Sequence, residues 1–200
     1  MLARKCTLCL LLICVGCRPN SPERTSSDSG PTVETHYSPT ENLEAFDRAS
    51  FRGASVSIDL CAYSLTDHAL ADALIGAAAK GVRVRIYVDR VQTSGEISRE
   101  NQRSTSHPEE EDEGVLQSLA STPNISIKVK HSKVLMHLKS YLVDSTLLRS
   151  GSANFSPSGE KRQDNELSFT RDHKAVRMFA DNFEVLWNRN DNEDFGAFAR

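Results

Sequence analysis

Apolar residues take up helical and alternating spacings in turn along this chain. Residues 41–50 carry them at helical spacing, with Thr40 placed as an N-cap. Residues 55–63 alternate as a strand. Thr66 or Asp67 then opens an alanine-rich helix that runs to Lys80 and is closed by Gly81, and residues 82–89 form a second strand. Strand, helix, glycine, strand is a βαβ unit, which predicts an α/β domain on a mixed, largely parallel β-sheet flanked by helices. Residues 92–114 are polar, include Pro108 and the acidic run 109–113, and read as a long loop, either a solvated surface or a flap near a site. A short helix is expected over 115–120, a turn at Pro123-Asn124 and a strand over 125–130, with apolar β segments at 141–143 and 146–148. Val176, Phe179, Phe183 and Leu186 are spaced by three, four and three, as on a helix that buries one face. No internal repeat is visible.

The N-terminus departs from this pattern. Arg4 and Lys5 precede an apolar run of about ten residues, too short to span a bilayer and shaped like an export signal. The run ends in Cys14-Val15-Gly16-Cys17, which resembles the bacterial lipoprotein box, although Cys14 stands where that box carries an aliphatic residue. The expectation is a signal peptide over 1–16, lipidation at Cys17, and a cell-envelope or periplasmic location with a membrane anchor; a plain secretory signal is the alternative. Residues 17–35 are rich in Pro, Ser, Thr, Asp and Glu and cannot bury enough surface to offset their ordering entropy, so they read as a tether, with the domain at 36–200.

Composition narrows the chemistry. Four of the five cysteines lie in the first seventeen residues, which rules out a disulfide framework and leaves Cys61 as core filler. The formal charge of −3 becomes −5 when Arg4 and Lys5 leave with the signal, since 22 basic then face 27 acidic side chains. A polyanion would need a local basic patch. No His, Cys, Asp and Glu constellation suggests a metal or other cofactor. His131 and His173 lack chemical company and read as surface or core residues.

The chemistry concentrates in His137-Leu138-Lys139, followed by Asp144, Gly151-Ser152-Ala153-Asn154 and Asn165-Glu166. On an extended backbone His137 and Lys139 face the same way, roughly 7 Å apart, a reach suited to one phosphate. A His-x-Lys-x4-Asp string alone arises by chance in about one or two of a hundred chains of this composition. The Gly-Ser-x-Asn string behind it makes coincidence much rarer.

These residues resemble the HKD signature of the phospholipase D superfamily, and most closely its single-motif members, the bacterial endonucleases and the Zucchini-type mitochondrial enzymes. The resemblance implies a metal-independent phosphodiester hydrolase in which His137 attacks phosphorus and forms a phosphohistidine. Lys139, Ser152 and Asn154 would hold the phosphate oxygens. Glu166, or Asn165 beside it, would orient the imidazole. Asp144 and Gly151 complete the signature in structural roles. The family protonates the leaving oxygen with a second motif histidine; this chain has one motif, so the resemblance implies a homodimer that shares one site on its twofold axis.

The substrate stays open between nucleic acid and phospholipid. Lys128, Lys130, His131, Lys133 and Lys139 form a basic cluster that a twofold axis would double into a groove. The lipid anchor would hold the enzyme against phospholipid headgroups. A non-catalytic phosphate-binding module is the third reading.

Overall fold

In the computed structural model, residues 32–106, 114–132 and 134–200 are described, and Pro31–Arg200 form one compact unit. The chain runs β1 (Val33–Ser38), α1 (Leu43–Gly53), β2 (Ser57–Ala62), α2 (His68–Ala79), β3 (Arg83–Val88), α3 (Arg90–Ser106) and α4 (Val115–Ala120). It continues through β4 (Ile125–Val129), β5 (Lys139–Val143), β6 (Leu147–Gly151), α5 (Pro157–Lys161), β7 (Asn165–Thr170), α6 (His173–Trp187), β8 (Glu193–Asp194) and α7 (Phe195–Phe198). The eight strands form one sheet in the order β1-β7-β6-β5-β2-β3-β4-β8.

Burial on both faces makes β2 the centre of the sheet, with all six of its residues buried. Ile58, Leu60 and Ala62 share a core with Leu43 and Phe51 of α1, Leu70 and Leu74 of α2 and Leu119 of α4. Cys61 faces the other way, against Phe183 and Leu186 of α6. Burial pushes the Cys61 thiol up to about 12, which fits an inert core residue. The helix predicted from Val176, Phe183 and Leu186 is α6, and it buries those three. Asp67 caps α2, its carboxylate accepting from the N–H of Ala69 and Leu70.

The mixed α/β sheet flanked by helices is as expected, but its parallel part is confined to β2-β3-β4. The remaining pairings are antiparallel. For the β5–β6 pair the cause is local: β5 joins β6 through Asp144 and Ser145, whose φ values of 50° and 54° match a mirror-type hairpin turn, so the two strands run in opposite directions.

Three further expectations are corrected. The span read as a long loop begins as the seventeen-residue helix α3. Asp89 starts it, its Oδ1 accepting from the N–H of Val91 and Gln92. Among the described residues of α3 only Thr93 and Glu96 are buried, so no apolar period marks the helix. The last residues assigned to the tether belong to β1, an edge strand of mostly exposed residues held by backbone pairing to β7 and by the Thr35–Ser168 hydroxyl contact at 2.8 Å. Asn42, not Thr40, occupies the N-cap position of α1; the Thr40 hydroxyl donates to the Tyr37 carbonyl instead. The signal, Cys17, the tether up to residue 31, the acidic run 109–113 and Lys133 lie outside the described residues.

Candidate active site

The motif lies where β5 begins beside the carboxyl end of β2. Lys139 pairs with Ala62, and the ladder runs one step further through the Tyr63 N–H donating to the Leu138 carbonyl at 3.0 Å. Just before it, Met136 is buried against α6 and its N–H donates to Asp89 Oδ2 at 2.9 Å. A buried anchor on one side and a strand on the other place His137 between them, with its side chain exposed.

His137 and Lys139 do face the same way, and Tyr63 joins them. The His137 ring meets the Tyr63 ring edge-on with centroids 4.5 Å apart, and Lys139 Nζ lies 4.7 Å from the same ring's centroid. Lys139 is 5% exposed, and its ammonium donates to the His137 carbonyl at 2.9 Å. Burial and the nearby Arg149 charge push Lys139 down to about 8. No carboxylate neutralises it among the described residues, so an incoming phosphate would be its first anionic partner.

The Gly-Ser-x-Asn string follows β6 and closes over the same end of the sheet. A Cβ on Gly151 would come within 2.8 Å of Leu167 Cα, so only glycine lets β6 approach β7 here. Ser152 Oγ accepts from the Glu166 N–H at 3.0 Å, and the Ser152 N–H donates back to the Glu166 carbonyl at 3.0 Å. Phe155 is buried, and its carbonyl accepts from the N–H of Thr66 and Asp67, tying the string to the segment after β2. Asn154 is half-buried, and its Oδ1 is buried without a hydrogen-bond partner. Asp144 is structural: its carboxylate accepts from the N–H groups of Ser55, Val56 and Ser57 at 2.8 to 2.9 Å. Burial acts to raise its pKa, but these three donors outweigh it and hold Asp144 below the usual carboxylate range.

Glu166 and His137 do not meet. Along β7, Leu167 and Phe169 enter the core shared with α1, as Tyr141 of β5 does. The two-residue alternation then puts Asn165 on the Lys139 face and Glu166 on the opposite one. Among the described residues no hydrogen bond joins Glu166 to the His137 ring. Asn165 Nδ2 donates to the Gly159 carbonyl at 3.0 Å, and Gly159 packs so closely on Asn154 that a Cβ there would lie 3.0 Å from the Asn154 nitrogen.

Among the described residues of the basic cluster, Lys128 and Lys130 are taken up by backbone carbonyls. On β4, Ile127 and Val129 enter the core shared with α1, so the intervening lysines turn toward α6. Lys128 Nζ donates to the Trp187 carbonyl at 3.1 Å and lies over its ring, while Lys130 is buried and donates to the Val134 carbonyl. His131 is an exposed partner of Glu193, and His173 is exposed at the start of α6.

Sequence reasoning missed the groups beneath the motif. Arg149 is fully buried. Its Nη1 donates to the Lys139 carbonyl at 2.7 Å and to the Ala153 carbonyl at 3.3 Å, joining the motif strand to the Gly-Ser-x-Asn string. Its Nη2 lies 3.1 Å from Asp47 Oδ2 and 3.4 Å from Glu160 Oε1. Tyr141 donates to Asp47 Oδ1 at 2.8 Å. One guanidinium cannot neutralise two buried carboxylates; burial and the Asp47 charge push Glu160 up to about 9, so it retains its proton. A charged residue inside the apolar run Leu147-Leu148-Arg149 was the available signal. Tyr63 had none, because it reads as the last residue of a strand.

A family model described as "Cardiolipin synthase, PLD-like domain" matches residues 48–187. A phospholipase D of Rickettsia conorii is 25% identical over 153 residues, which cover 76% of this chain and 67% of that protein. A mitochondrial cardiolipin hydrolase of Xenopus tropicalis is 25% identical over 145 residues, covering 72% of this chain and 61% of that protein. The crystal structure of Nuc, a phospholipase D family member from Salmonella typhimurium, matches 82% of this chain and 98% of its own with a TM-score of 0.66 and 21% identity. NucT from Helicobacter pylori matches 82% and 99%, with a TM-score of 0.67 and 18% identity. An HKD motif at the mouth of this sheet and a family match that runs from α1 through α6 lead to one conclusion: the chain belongs to the phospholipase D superfamily of phosphodiesterases.

Proposed function

We propose that the protein is a metal-independent phosphodiester hydrolase, an endonuclease on DNA or RNA, that works as a homodimer. The carrying observation is an exposed imidazole beside a buried lysine that has no carboxylate partner among the described residues, both against Tyr63, in a chain with a single such motif. A phosphodiester repels anionic nucleophiles, so a neutral imidazole is suited to attack it while fixed donors meet the developing charge. His137 forms a bond to phosphorus, the bond to the leaving oxygen breaks, and that oxygen takes a proton from the partner subunit's His137. Water then cleaves the phosphohistidine, with the same partner histidine acting as base. Lys139, Ser152 and Asn154 hold the non-bridging oxygens. Asn165, on the His137 face, is better placed than Glu166 to steady the ring.

One observation favours phospholipid as a second reading. Val134, Leu135 and Leu138 flank His137 and are 72%, 53% and 38% exposed. An apolar rim beside the nucleophile suits either a second subunit or a bilayer surface, and lipidation at Cys17 would bring the domain to such a surface.

The test incubates the purified full-length chain in EDTA with plasmid DNA, RNA and phosphatidylcholine vesicles in parallel. Cleavage of nucleic acid that survives chelation is expected, together with a phosphohistidine trapped on His137. An enzyme that dies in EDTA and revives with magnesium or zinc would overturn the mechanism; cleavage of the vesicles alone would move the substrate to lipid.

A further inference from the structure

A cavity of about 530 Å³ opens beside the motif, between the segment after β2, helix α3 and the loop that carries Asn154. Tyr63, which meets the His137 ring and Lys139, and Asn154 line its near side. Arg99 and Arg103 line the α3 side. They are exposed and one helical turn apart, and so project from the same face. Among the described residues neither forms a hydrogen bond or an ion pair.

Two acids share the cavity, and their placement matters. Glu96 is buried, and its Oε1 accepts from Ser64 Oγ at 2.6 Å and from Gln92 Nε2 at 2.8 Å. Burial raises its pKa against the opposing pull of those bonds and of Arg99. Glu100 lies at the head of α4, where its carboxyl crowds Gly114 so closely that a Cβ could not be added there. The arginines are the exposed cationic groups of the α3 wall.

We propose that this cavity is a second anion site, in which Arg99 and Arg103 hold the phosphate next to the scissile one on a nucleic-acid strand. The inference rests on the phosphodiesterase reading of His137 and Lys139 and adds to it the residues that hold the neighbouring phosphate. A strand repeats its phosphates at short intervals, so a neighbour always accompanies the one being cleaved. The two arginines offer a phosphate charge-assisted partners, beside a wall that includes Tyr63, Val115 and Pro157. The overall charge of −3 repels polyanions at long range, which leaves recognition to such local cations.

The test compares the thymidine dinucleotide TpT with pTpTp, which carries a phosphate at each end, on the full-length protein. Charge-assisted contacts from two arginines should favour pTpTp by about ten- to a hundredfold in kcat/KM, mainly through KM. In the Arg99→Gln/Arg103→Gln double variant the pTpTp-to-TpT ratio should fall to near one. The His137→Asn protein reads the same preference as a Kd ratio by calorimetry, whether or not turnover occurs. Failure of wild type to cleave bis(p-nitrophenyl) phosphate or either dinucleotide would indict the phosphodiesterase reading, while the calorimetry still reports on the cavity. An equal preference in wild type, or a preference that survives the double substitution, would overturn the second site. Loss of phosphatidylcholine cleavage in the double variant with the dinucleotide ratio intact would overturn it in favour of a lipid headgroup.

Discussion

Lys139 and Glu160 show one force acting on a base and on an acid. Burial removes charge from both, lowering the lysine to about 8 and raising the glutamic acid to about 9. For Glu160 the linkage has a definite sign. The folded value lies above the ordinary 4.5, so between those limits the unfolded chain sheds a proton that the folded one keeps, and stability falls as pH rises. Glu160→Gln keeps a donor toward Asp47 without that cost. It should match wild type near pH 4.5 and become the more stable protein by about 1–3 kcal/mol at pH 7 to 8, as read by urea unfolding. Equal destabilisation at both pH values would mean that Glu160 is ionised and paired with Arg149. Arg149 was visible in the sequence as a charge within an apolar run, but its partners were not, because Asp47 and Glu160 are distant in the chain and carry no local mark.

At the scale of elements, the β5–β6 hairpin holds the site at a fixed height above the sheet. Its turn residue Asp144 collects three N–H groups from the segment entering β2, and the Asp144 N–H donates to the Ser57 carbonyl. Asp144→Ala should cost about 2–3 kcal/mol, since hydrogen bonds to a charged acceptor are the stronger kind. Asp144→Asn should lose less, because asparagine tolerates the positive φ and keeps an acceptor. Chemical denaturation orders the three proteins. The activity of whatever remains folded should stay near wild type, and a catalytic collapse in fully folded Asp144→Asn would assign this residue to the chemistry instead. The resemblance assigned Asp144 a structural role, but its partners at residues 55–57 lie far off in the chain and only the fold brings them together. Helix α3 was hidden for a different reason: it buries too few apolar side chains to leave a period.

At the scale of the whole molecule, one nucleophile cannot stand on both sides of a phosphorus atom. The proposed shared site therefore predicts that mixed dimers of wild type and His137→Asn lose essentially all turnover, since general acid catalysis alone is worth roughly a hundred- to ten-thousandfold. Lys139→Met heterodimers should keep a trace, because one cation still faces the phosphate. The measurement is turnover of separately tagged, co-purified heterodimers against each homodimer. Half the wild-type rate would show that each chain carries an independent site. The exposed Leu138 and Leu135 beside His137 are the side chains that such an axis would cover.

The sequence by itself determined the features that rest on short-range rules: the βαβ start, the capped helix α2, the amphipathic α6, and a His-x-Lys pair on one face of an extended segment. Periodicity and caps act within a few residues, so a single sequence carries them openly. Only the tertiary structure decided which residues surround that pair. Tyr63 comes under His137 because β2 and β5 pair in one register, and a slip of a single residue would have turned it to the other face. Register also set Asn165 rather than Glu166 on the Lys139 side, turned Lys128 and Lys130 toward α6, and brought Arg149 beneath the motif. Pairing between distant strands is a property of the whole core, whose packing selects one register among several that are locally equivalent.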